Sequence, residues 1–313
     1  MKPFFSVIIP LYNKENYLKN TLNCVFNQTF VDFEVIVVND GSTDNSIKVV
    51  EEYKDERLIV IHQKNQGVSV ARNTGMAHAK ANYLCFLDAD DLWKTNHLQV
   101  FYDTIAKFPE AKMYCGRYVT QISKNTFINN NFIDIDENYE GYVTDFFKSS
   151  LINRVALTSA VCIHKDIFTE IGGFDPALKS DQDLDYWIKI ALKYKIAITA
   201  STTLTYNFIN ANKSLSKDNS KYHKLTDLNQ YRSFEKDNKS LQAFLDIYRI
   251  EYGLHYYMLG LKEKSTEYLM YVDAENMNYK TRFLLKLPPF LLNGLLTVKR
   301  KLRNYGIDFT VYH

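Results

Sequence analysis

Three carboxylates, Asp88, Asp90 and Asp91, fall within four residues, directly after the apolar run Tyr83 to Leu87. Acids this close repel one another, and the relief is a divalent cation with oxygen ligands, or else water and the free amides of a helix start. Both readings stand on this stretch alone, because Asp is a favoured helix cap and LWKTNHL could open a helix just afterwards. One cap, however, uses one Asp. A second polar turn, Asn39 to Asp44, also follows an apolar run, and there Asp40 could accept a hydrogen from a base or close an Asx-turn. Tyr12, in PLYN, offers a ring for stacking or an ordinary rim aromatic. Asp181, Asp183 and Asp185 occupy the first turn of an amphipathic pattern whose apolar face is Leu184, Trp187, Ile188 and Ala191, where a helix dipole favours acids.

Strands that end at these groups are needed to position them. Ser6 to Pro10 is a β-branched run, followed by a turn at Leu11 to Asn13 and helical spacing at Leu18, Leu22, Val25 and Phe26. Phe33 to Val38 reads as a second buried strand, with Gly41 permitting a tight turn and Thr43 or Asp44 able to cap the next helix. A strand over Leu58 to His62, a helix over Val68 to Ala79 and a strand over Tyr83 to Leu87 repeat the unit. Alternation at this spacing predicts an α/β fold with a doubly wound, mostly parallel sheet, which binds ligands at the carboxyl ends of its strands. Tyr12, Asp40 and the Asp88/Asp90 pair then face one crevice, suited to a base and a diphosphate. Further on, Met113 to Val119 and Ser159 to His164 read as strands, and Asp166 to Ile171 as a short helix stopped at Gly172-Gly173. Asp181 to Tyr194 reads as a helix, and Ile196 to Ala200 and Leu204 to Phe208 as closing strands, while residues 120–150 show no regular pattern.

A chain of 313 residues, 46% hydrophobic and 24% charged, suits one large domain, residues 1–220, plus a helical extension, residues 221–313. Its net charge of +2 gives no reason to expect a nucleic-acid partner. Cys24, Cys85, Cys115 and Cys162 form no C-x-x-C pair and read as buried thiols in a reducing compartment. The opening apolar run is too short for a signal segment, and no uninterrupted apolar stretch reaches about 18 residues, so a cytoplasmic location is expected. Leu241 to Leu261 and Lys264 to Val272 read as helices. The tail, residues 283–303, combines leucines with Lys299, Arg300, Lys301 and Arg303 and is interrupted by Pro288 and Pro289. It reads as a lid packed on the main domain or as a segment lying on the anionic inner face of a membrane.

Together, the blocks SVIIPLYN, VIVVNDGSTDNS, NQGVSVARNTGMAHA, YLCFLDADDLW, GGFDP and SDQDLDYWIK resemble, in order, those of the inverting family 2 glycosyltransferases of GT-A fold. The resemblance covers residues 4 to about 208. It implies that Tyr12 stacks on the nucleotide base with Pro10 beside it, that Asp40 receives the uracil N3 hydrogen, and that Arg72 lies near the nucleotide. Asn39 stands where the family often has an acid. Asp88 and Asp90 become the D-x-D acids, with Asp90 the direct ligand of Mg²⁺ or Mn²⁺. The catalytic base falls on Asp183, a one-turn shift to Asp181 or Asp185 being the alternative, and Gly173, Phe174, Asp181, Gln182 and Trp187 fall on the acceptor side.

The implied activity is transfer of a sugar from a nucleotide-diphosphate donor, a UDP-sugar, to a glycan or lipid-linked acceptor in surface polysaccharide assembly. Two rivals share parts of this pattern. A nucleotidyltransferase would need a Gly-rich basic loop near the N-terminus, and SVIIPLYNKEN has neither Gly nor Arg. A non-catalytic carbohydrate-binding protein has no use for Asp88, Asp90 and Asp183 together.

Overall fold

The computed structural model describes residues 2–208 and 225–303, so the expected boundary at 220–221 lies outside the described residues. The first apolar run forms β1 (Phe5–Leu11), and the spacing after it forms α1 (Leu18–Phe26). Next come β2 (Phe33–Asp40), α2 (Ser46–Glu51), β3 (Leu58–Gln63), α3 (Val68–His78) and β4 (Tyr83–Phe86). β1 lies between β2 and β4, with Val7 opposite Val35 on one side and Cys85 on the other. All three are parallel and buried on both faces, which is why they read as continuous apolar runs rather than alternating ones.

After β4 the chain makes β5 (Leu92–Trp93), α4 (His97–Lys107), the long β6 (Ala111–Ser123), β7 (Thr126–Asn129), β8 (Gly141–Tyr142) and α5 (Phe146–Ser149). Then follow β9 (Val161–His164), α6 (Asp166–Ile171), α7 (Gln182–Ala191) and β10 (Lys195–Asn207). The strand order is β3-β2-β1-β4-β9-β6-β10-β5, with β7 on β6 and β8 on β10. β9 runs antiparallel between β4 and β6, so the sheet is mixed. This is the expected GT-A architecture, a mixed α/β sheet flanked by helices.

Four local expectations are corrected. LWKTNHL does not open a helix directly after the acids: β5 comes first, and α4 starts at His97. Residues 158–160 are a turn of 3-10 helix, and the strand begins only at Val161. The two closing strands are one, β10, bent by register shifts between Ile198 and Leu204. Cys24 is only partly buried, whereas Cys85, Cys115 and Cys162 are fully so, and all four are free thiols. The glycine stop after α6 holds, with Gly172 at φ 80°.

The C-terminal helices are α8 (Arg232–Glu235), α9 (Lys239–Met258), α10 (Lys262–Leu269), α11 (Tyr279–Leu284) and α12 (Pro289–Arg303). α9 buries Leu241, Phe244, Leu245, Tyr248 and Tyr252, and Phe244 meets Phe147 of α5 at 5.6 Å between ring centroids. Arg249, buried, pairs with Glu235 at 2.6 Å and Asp246 at 2.9 Å, which compensates its charge and locks α8 to α9. Beyond this the packing thins: Leu292 is buried, but Phe283, Phe290, Leu291, Leu295 and Val298 stand exposed, Phe290 by 71%. Among the described residues, no helix is long and apolar enough to cross a membrane.

Candidate active site

The carboxyl ends of β1, β2 and β4 meet as expected. Tyr12 follows half-buried Pro10 and β1, with its ring 47% exposed at the rim. Next to it Asn13 adopts φ 52°, and its Oδ1 accepts hydrogens from Thr43 N at 2.8 Å and Asp44 N at 3.3 Å. This ties the loop after β1 to the loop after β2 and fixes the ring's base. Asp40 is buried, and its carboxylate accepts from Gln63 Nε2 at 2.8 Å, Gln66 N at 2.9 Å and Gly67 N at 2.8 Å. Oδ2 carries only one of these three bonds, which leaves it acceptor capacity.

The three acids after β4 separate in role. Asp91 is fully buried, accepts from Ser159 Oγ at 2.6 Å and from Asn207 N at 2.9 Å, and is pushed well above the usual carboxylate range by burial and by Asp90 and Asp88. It braces the turn and does not face ligand. Asp88 and Asp90 keep side-chain exposures of 35% and 24% and carry one cation each. Arg72 Nη2 pairs with Asp88 at 2.6 Å, and Lys14 pairs with Asp90. Arg72 is itself buried, its guanidinium 5.2 Å from the Phe174 ring centroid, and its Nε and Nη1 have no partner.

Among the described residues, no group of three or more His, Cys, Asp or Glu is arranged to hold a metal ion by itself. Two partly exposed carboxylates nonetheless fit Mg²⁺ or Mn²⁺, hard cations that take oxygen ligands and fill their remaining positions with phosphate and water.

The third cluster lies at the start of α7. Asp183 accepts from Leu184 N at 2.9 Å, and its Oδ2 lies 3.4 Å from both Arg154 Nη1 and Thr158 Oγ1. Asp185 is buried against Lys189 at 2.6 Å and Tyr231 Oη at 2.6 Å, and so serves as an anchor. Asp181 adopts φ 57° at the N-cap and is held by Tyr252 Oη at 2.8 Å. Of the three acids, Asp183 alone is not tied down by the C-terminal helices.

The turn at Thr158–Ala160 joins the clusters. Thr158 touches Asp183, while its neighbour Ser159 accepts from Asp88 N at 3.1 Å and donates to Asp91. Tyr206 on β10 faces both sides: burial raises its phenol far above the ordinary value, with Asp91, Asp88 and Asp183 adding and Arg154 opposing. Neither Ser159 nor Thr158 stands out in the sequence, because both sit inside an apolar stretch that reads as strand.

The acceptor-side expectation needs correcting for two residues. Phe174 and Trp187 are buried and pack edge to face at 5.6 Å, so they form the wall behind the site. Gly173 is there for clearance: a Cβ would lie 2.2 Å from Asn73 Oδ1. Asn73, which sequence reasoning passed over, donates to Phe174 O at 2.7 Å and accepts from Phe174 N at 2.9 Å. Gln182 is half-buried and its Oε1 has no partner.

The model of the family described as "Glycosyl transferase family 2" matches residues 6–169. The glycosyltransferase GlyA of Streptococcus pneumoniae serotype 4 is 40% identical over 115 residues, 36% of this chain and 16% of that protein. The putative teichuronic acid biosynthesis glycosyltransferase TuaG of Bacillus subtilis is 30% identical over 195 residues, 61% of this chain and 73% of its own length. Among solved structures, residues 1–349 of TarS from S. aureus in complex with UDP-GlcNAc superpose with a TM-score of 0.59 at 20% identity, covering 85% of this chain and 90% of that one. The chain thus spans about a sixth of GlyA and about three quarters of TuaG.

Proposed function

The chain belongs to glycosyl transferase family 2, and from that premise we propose that it moves a sugar from a UDP-sugar to an acceptor hydroxyl with inversion at the anomeric carbon. The observation that carries this reading is the Thr158-Ser159 turn, which sets Asp183 beside the Asp88/Asp90 end of β4. Two residues adjacent in the chain, Thr158 and Ser159, thus contact the proposed base and the proposed leaving-group end. UDP-GlcNAc in the TarS complex and teichuronic acid in the name of TuaG support a nucleotide-sugar donor and a surface-polysaccharide setting.

On this reading Tyr12 stacks on the uracil and Pro10 lines its edge, while Asp40 Oδ2 accepts the N3 hydrogen. Asp88 and Asp90 hold Mg²⁺ or Mn²⁺, which when bound neutralises charge on the departing diphosphate. Arg72 and Lys14 balance those carboxylates and add positive charge beside the phosphates. Asp183 takes the acceptor proton on the opposite face of the sugar, a contribution of about 10² to 10⁴ in rate. Asp181 and Gln182 flank the acceptor. Exposed apolar residues on α11 and α12, with seven Lys or Arg and no acid between Asn276 and Arg303, support peripheral contact with an anionic inner membrane leaflet.

The test is a panel of UDP-, GDP- and dTDP-sugars assayed with and without chelator. Metal-dependent release of UDP is the expected result. Pyrophosphate release from UTP and a sugar phosphate would replace this reading with nucleotidyl transfer.

A further inference from the structure

Among the described residues, Arg154 is the cation paired with Asp183, and neither the sequence motifs nor the donor site accounts for it. Its Nη1 lies 3.4 Å from Asp183 Oδ2 and its Nη2 3.7 Å from Asp181 Oδ1, so it bridges two acids of the same helix start. Its guanidinium also lies 5.4 Å from the ring centroid of Tyr248, on the C-terminal helix α9. One turn further along α9, Tyr252 donates to Asp181 at 2.8 Å. Thr226 Oγ1 donates to the Asp181 carbonyl at 3.3 Å. Asp181 is a non-glycine residue in left-handed backbone, a conformation that persists where surrounding contacts over-determine it. Here those contacts come from Arg154 on one side and from the C-terminal segment on the other.

We infer that Arg154 is the positioning residue for Asp183, and that Tyr248 and Tyr252 of α9 hold the pair in place, so that the C-terminal helices complete the base end of the site. The inference rests on the reading of Asp183 as base and adds to it a dependence on a segment beyond residues 6–169, which the family model matches. Arg154 has two effects. Its charge lies beside that of Asp183, and its fork fixes the direction of Oδ2, because a guanidinium contacts two carboxylates only in a narrow set of geometries. Tyr248 supplies an aromatic face for the cation. Burial raises its phenol to about 12, so it stays neutral across the working range.

The charged and titratable groups around Asp183 are few enough for a pH profile to be read. Arg154 comes from the segment after α5, Asp181 and Asp185 from α7 itself, Tyr206 from β10, and Tyr248, Glu251 and Tyr252 from α9. Asp185 is paired with Lys189. Arg154 is thus the cation whose removal acts on Asp183 directly.

The experiment is the pH dependence of kcat and of kcat/KM for sugar transfer, with UDP affinity measured separately, in wild type, Arg154→Gln, Arg154→Lys and Asp183→Asn. Arg154→Gln is expected to lose tenfold or more in kcat, to keep its UDP affinity, and to move the acidic limb of the profile upward. Arg154→Lys should return the limb towards its wild-type position while recovering only part of the rate. A limb superimposable on wild type in Arg154→Gln, or a loss confined to UDP affinity, overturns the inference. Full activity in Asp183→Asn instead removes the base assignment itself, whatever Arg154 does. If Arg154→Gln does not fold, Tyr248→Leu carries the test: a fall in kcat at unchanged UDP affinity is expected, and wild-type kcat overturns the role of α9.

Discussion

At the scale of single residues, the site divides acids that are spent from acids that are available. Asp91 and Asp185 are buried and fully engaged, Asp91 by Ser159 and Asn207 and Asp185 by Lys189 and Tyr231. Asp88, Asp90 and Asp183 keep partly open faces, and each has a cation nearby. Asp40 is the case where a residue with a structural role is also proposed to meet ligand. Three donors hold it to the loop after β3, yet Oδ2 has room for one more. Asp40→Ala should therefore weaken UDP binding by about tenfold while leaving ADP binding unchanged, the cost of one hydrogen bond to a charged group. Calorimetry with both nucleotides checks this, and equal losses would reduce Asp40 to a turn residue. The place of Asp88 and Asp90 at the end of a buried strand was legible in the sequence. The fate of Asp91 was not, because its partners lie 68 and 116 residues away in the chain.

At the scale of elements, what could be read from sequence depended on how each element is specified. β1, β2 and β4 are buried on both faces and announce themselves as apolar runs, and α1 and α7 carry helical spacing. β7 and β8 hold four and two residues and form only against β6 and β10, so no local pattern marks them. The turn at Thr158–Ala160 was missed for the same reason, although it joins the two halves of the site. Contact between the A-R-N and G-G-F blocks is another such case. Asn73 bonds both the N–H and the carbonyl of Phe174, and Phe174 in turn lies against Arg72. Asn73→Ala leaves two buried backbone groups unsatisfied and should cost about 2–3 kcal/mol. Thermal unfolding should show a fall in Tm of roughly 5 °C, and an unchanged Tm would mean that water replaces the side chain.

At the scale of the whole molecule, the strand order puts Tyr12, Asp40 and the Asp88/Asp90 pair at the ends of β1, β2 and β4 and the proposed base at the start of α7, with β9 and its preceding turn between them. The C-terminal helices are welded to this frame through Phe244, Tyr248 and Tyr252, whereas α11 and α12 expose an apolar surface in a basic segment. Wild-type protein should sediment with anionic liposomes and a truncation after residue 278 should not; absence of wild-type binding would end the membrane role. The central claim, that Asp183 is a base facing a donor held at Asp88 and Asp90, is tested most directly by Asp183→Asn. Calorimetry and a transfer assay on that variant should show UDP binding within about twofold of wild type and transfer reduced by about 10² or more. Transfer near the wild-type rate would contradict the account and move the base elsewhere.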